Sequence, residues 1–63
     1  MSRQDQLFQD VIDSLREYYR EQLADASLLA ETRAAVTIPD TGNDQNDYVS
    51  VRNQVERFLK SRN

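Results

Sequence analysis

Leu7-Phe8-Gln9-Asp10-Val11-Ile12-Asp13-Ser14-Leu15-Arg16-Glu17-Tyr18-Tyr19-Arg20-Glu21-Gln22-Leu23 carries the longest apolar stripe of this 63-residue chain. Phe8, Ile12, Leu15, Tyr19 and Leu23 recur at steps of 4, 3, 4 and 4. That spacing keeps them on one face of a 3.6-residue helix. Ala26 and Ala30 continue the face, while Leu7, Val11, Tyr18 and Leu29 widen it. From Gln4 to Ala34 there is neither Gly nor Pro, so intrinsic propensity agrees with the pattern. The stripe predicts one long helix over residues 4–34, with Ser2 as its N-cap.

Outward from that helix, the only Pro and the only Gly (Pro39 and Gly42) fall together. Pro39 disfavours the helical region at Ile38, and Asp40-Thr41-Gly42-Asn43-Asp44 is turn chemistry, so residues 36–45 read as a loop. Tyr48, Val51, Val55, Phe58 and Leu59 then predict a second helix over 46–61, capped by Asp44 or Asn46. The expected fold is a single all-α domain over residues 1–63, a two-helix antiparallel hairpin. Asp25 or Ser27 offers a fresh cap, which gives the alternative, a three-helix fold with a break near residues 25–27.

Lengths turn this hairpin into an expectation about association. A helix over 4–34 is about 45 Å long and one over 46–61 about 24 Å. The shorter helix then leaves Leu7, Phe8, Val11, Ile12 and Leu15 bare. Five such side chains are worth on the order of 10 kcal/mol when buried, comparable to the whole stability of a small domain. A homodimer or higher homo-oligomer, or a protein partner, is therefore expected to cover them, together with Tyr19 in the stripe and Tyr18 at its border.

Composition narrows the chemistry. The chain has no Cys and no His, which removes thiolate metal sites, the commonest general base and the commonest transition-metal ligand. The serines lack a base, and a di-metal carboxylate bundle ordinarily draws on Glu-x-x-His. Read as a calcium loop from Asp40, the turn puts Gln45 where Gly is required and Val51 where a bidentate Glu is required. No cofactor, metal or catalytic residue is expected, and the chain is not expected to be an enzyme. No apolar run approaches the roughly 20 residues of a membrane span, so a soluble cytoplasmic protein is expected.

Charge supplies two further candidates. Asp10, Asp13, Glu17, Glu21 and Asp25 climb one side of the long helix as an acidic face. Arg52, Arg57, Lys60 and Arg62 make the C-terminal segment basic. The net charge of -3 argues against nucleic-acid binding and is small for a phosphate-backbone mimic. The leading expectation is a small regulator, inhibitor or adaptor that docks the apolar face of its first helix on itself or on a partner protein, a style common in phages and mobile elements. The alternatives are a structural component of a larger assembly, or a nucleic-acid-facing protein acting through its acidic face or basic C-terminus.

Overall fold

The computed structural model describes residues 2–62, and its regular structure is all α, with no strand among the described residues. Helix α1 spans Arg3–Leu15, α2 Arg20–Leu23, α3 Ala26–Ala35 and α4 Asp44–Ser61. The single long helix over 4–34 is thus corrected to three shorter ones. A straight rod of about 45 Å would not fit a molecule whose principal extents are 32 × 22 × 20 Å.

The first break has no glycine or proline behind it. The Leu15 carbonyl accepts from both Tyr18 N–H and Tyr19 N–H at 3.0 Å, tightening the last turn of α1. Tyr19 then leaves the helical region at φ -128°, ψ 42°. The second break is the one Asp25 announced: its carboxylate accepts from the N–H groups of Ser27 (2.9 Å) and Leu28 (3.3 Å) and caps α3. Interrupting a helix costs a few backbone hydrogen bonds, each worth about 1 kcal/mol net. Burying the N-terminal stripe returns on the order of 10 kcal/mol. Burial wins, and the chain bends.

The direction of the helices also differs from the hairpin. Arg3, at the start of α1, bonds Asp44 and Asp47 at the start of α4. Gln22, beyond the end of α1, donates to the Leu59 carbonyl near the end of α4 at 3.1 Å. Helices α1 and α4 therefore run in the same direction, and α3 returns between their ends. The Arg33 guanidinium, late in α3, lies 5.6 Å from the centre of the Phe8 ring and 3.5 Å from Asp5, early in α1.

One core results. Leu7, Phe8, Val11, Ile12 and Leu15 of α1 join Leu23, Val36 and the α4 stripe of Val51, Val55 and Leu59. Tyr19, Leu28, Leu29, Ile38, Tyr48 and Phe58 pack around them. Buried Asp47 starts the α4 stripe, so its period is four residues throughout. Thr32 is also fully buried, and its hydroxyl donates to the Leu28 carbonyl at 2.8 Å. The extended segment after α3 is held along α4 by Gln54, whose amide accepts from Thr37 N–H (2.9 Å) and donates to Thr37 C=O (2.8 Å).

The start of α4 is set by Asn43, not by Asp44 or Asn46. Its side chain accepts from Asn46 N–H at 3.0 Å, and the helix begins two residues earlier than predicted. Gly42 precedes it at φ +86°, with nothing near the position a Cβ would take. The cost of a side chain there is conformational only, about 1 kcal/mol. Gly42→Ala is expected to lower the thermal midpoint by about 4–8 °C, measured by circular dichroism, with secondary structure unchanged at low temperature. Among the described residues no helix is long and apolar enough to cross a membrane.

Candidate functional site

The expected interface residues part company in the fold. Val11, Ile12 and Leu15 are 0–1% exposed and Leu7 and Phe8 8%, all within one chain. The expectation that a second molecule must cover them loses its premise, because α4 and the returned α3 already do so. Tyr19 packs half-buried on the core, and Tyr18 alone stands out, 71% exposed at the bend.

The acidic face is also dismembered by the bends. Asp10 and Asp13 remain on α1, Glu17 falls in the turn, Glu21 on α2, and Asp25 caps α3. Each is exposed, but no single helix presents them. Asp13 accepts from Gln9 at 3.0 Å and lies 3.6 Å from Arg16. Of the basic C-terminal residues, Arg52 pairs with Glu56 at 3.3 Å. Arg62 pairs with Glu31 at 2.8 Å and lies over the Phe58 ring. Arg57 and Lys60 have no ion-pair partner among the described residues; they share one depression with Glu56, and two cations beside a carboxylate make a poor phosphate track.

Two features were not anticipated. The first is a clasp around Arg3. Its guanidinium reaches Asp40 (3.1 Å), Asp44 (2.6 Å) and Asp47 (2.7 Å). Asp40 and Asp44 are largely in water, but the Asp47 side chain is only 1% exposed. Asp47 also accepts from the Thr41 hydroxyl at 2.7 Å and from Thr41 N–H at 3.3 Å. The clasp ties three pieces together: the start of α1, the loop and the start of α4. Three carboxylates gathered round a guanidinium neutralise an arginine, and no group arranged to hold a metal ion occurs among the described residues.

The bond from Arg3, then that from the Thr41 hydroxyl, holds the Asp47 carboxyl below the usual carboxylate range. Asp47 binds its proton less readily folded than unfolded. Its contribution is therefore complete above the unfolded pKa, ~3.9, and is lost as pH falls through the lower folded value. Asp47→Asn is expected to lower stability at neutral pH and to flatten the loss below pH ~4. Urea titrations at pH 7 and at acidic pH, on both proteins, check this.

The second feature is a groove of about 430 Å³ between α1 and α4, lined by Arg3, Gln6, Leu7, Asp10, Asp44, Gln45 and Tyr48. It exists because the two helices run side by side from their N-termini, which brings Leu7 of α1 and Tyr48 of α4 into one lining. Leu7 and Tyr48 make its apolar floor, Asp10 and Asp44 its rim. Asp10 accepts from Gln6 Nε2 at 2.9 Å and has no cation within bonding distance among the described residues. Val49, 48% exposed, stands beside it one turn on from Gln45. The depression at the far end of α4 is lined by residues of polar and charged type, Asn53, Glu56, Arg57, Lys60 and Ser61.

The sequence held signals for the clasp alone. Arg3 is the one cation near a chain end rich in aspartates, and Asp47 stands four residues before Val51 in the buried row. Only the parallel arrangement of α1 and α4 brings them together. Comparison with protein-family models, with curated proteins and with solved structures finds no match.

Proposed function

We propose that the chain is a small non-enzymatic protein-interaction module, a regulator, inhibitor or adaptor that folds by itself and docks a partner protein in the groove between α1 and α4. The observation carrying this is the groove: an apolar floor of Leu7 and Tyr48 between α1 and α4, with the exposed Val49 beside it. Apolar centres ringed by polar groups are the usual build of a docking surface. The buried carboxylate, Asp47, is held by Arg3 and Thr41, and no His or Cys is present to serve as base or nucleophile.

Val49→Lys tests the docking surface, since it places a charge beside the groove at an exposed position and leaves the core alone. Wild-type and variant chains used as paired baits on an extract of the native host should melt alike. A protein retained by the wild type and lost from the variant is the expected result. Identical captures on both baits, or a loss caused instead by Lys60→Glu at the far end of α4, would place docking elsewhere.

A further inference from the structure

We infer that the occupant of the α1–α4 groove is a basic amphipathic segment of a partner protein, one bearing an apolar side chain next to lysine or arginine; this rests on the groove being the docking site. Charge complementarity carries it. The groove lining itself holds Asp10 and Asp44 against Arg3; Asp40 and Asp47, bonded to Arg3, and Asp5, paired with Arg33 of α3, bring this end of the molecule to five carboxylates against two cations. That imbalance equals the net charge of the whole chain, -3, so the remaining charged residues balance one another.

Both local cations are engaged: Arg3 by its three aspartates, Arg33 by Asp5 and the Phe8 ring. Asp10 is therefore the rim carboxylate left without a cation among the described residues, while Asp44 meets an incoming chain with Arg3 already bonded to it. Asp10 has a neutral partner only, and the Asp44 side chain is 87% exposed. An acidic rim round an apolar floor attracts a cationic apolar segment, raises its encounter rate and repels acidic ones. Nucleic acid is repelled for the same reason.

The test is an NMR titration of the isotope-labelled full chain with three synthetic peptides of equal length and helical spacing: leucine–lysine, leucine–glutamate and serine–lysine. The expected result is saturable shifts at Gln6, Leu7, Asp10, Gln45 and Tyr48 with leucine–lysine alone, weakening as salt rises. Asp10→Lys should weaken that binding about fivefold while its amide spectrum keeps the fold. If leucine–glutamate binds the same residues, the groove is a docking site but the basic assignment is wrong. Equal binding of serine–lysine would overturn the amphipathic occupant, since the apolar floor then contributes nothing. Shifts in these residues on simple dilution would identify a second copy, docked through its Arg57 and Lys60, and overturn the partner assignment. No saturable shift in the groove with any peptide removes both this occupant and the docking site.

Discussion

Leu15→Ala is expected to lose about 2–5 kcal/mol, the usual cost of truncating a fully buried leucine. A chain of 63 residues has only about 3–9 kcal/mol to lose, so the variant should be near its unfolding threshold at room temperature. In a urea titration the midpoint should fall steeply with little change in slope. Leu15 is 0% exposed and belongs to the same cluster as Val55 and Leu59 of α4. Tyr18→Ala is the control. Tyr18 lies three residues on and is 71% exposed, so its removal should shift stability by no more than about 0.5 kcal/mol. Were the first 34 residues a straight rod with an uncovered front half, the two substitutions would cost similar small amounts in an isolated chain.

Arg3→Met is expected to rank with that core truncation, although Arg3 is a surface residue near the chain end. The reason is what it leaves behind. Asp40 and Asp44 are rehydrated when the guanidinium goes, but Asp47 is 1% exposed and keeps only Thr41 as a partner. A buried carboxylate stripped of its cation is far worse than a pair removed together. Adding Asp47→Leu to Arg3→Met should therefore recover much of the loss, a coupling that a double-mutant cycle in urea reads directly. Asp40→Asn and Asp44→Asn should each be nearly neutral. Equal losses from all three aspartates would show that the clasp is an ordinary solvated network.

The contrast between these two sites explains what could be read from the sequence. Helix α4 and the buried part of α1 were legible because burial imposes a period, and Val51, Val55 and Leu59 keep it. Asp25 was legible as a cap because its chemistry is local: a carboxylate two and three residues before the amides it accepts from. The bend at Leu15–Tyr19 was not. Arg16, Glu17, Tyr18 and Tyr19 contain no helix breaker, and the helix ends there only because doubling back buries more apolar surface than it loses in hydrogen bonds. Nothing within a few residues encodes that comparison.

The same holds for the site. Asp47 reads locally as a helix-dipole residue in the first turn, a role any exposed Asp fills. Its pairing with Arg3 spans 44 positions and follows from helix direction. Once α1 and α4 run parallel, the residues at both N-termini converge. An antiparallel pair would have set Arg3 beside Arg57 and Lys60. The groove floor of Leu7 and Tyr48 is a consequence of the same choice, as is the gathering of aspartates around it.

Shielding of the N-terminal apolar stripe by the chain's own later helices is the claim on which everything else depends. Sedimentation and thermal unfolding of the purified protein over a wide concentration range test it together, since a stripe covered by a second molecule makes the melt depend on concentration. A mass of 7.4 kDa throughout, with a midpoint that does not move, is the predicted result. Twice that mass, with a midpoint that climbs as the protein is concentrated and climbs equally in Lys60→Glu, would mean that Leu7, Phe8 and Ile12 are covered by a second copy and that α1 does not close on α4 within one chain.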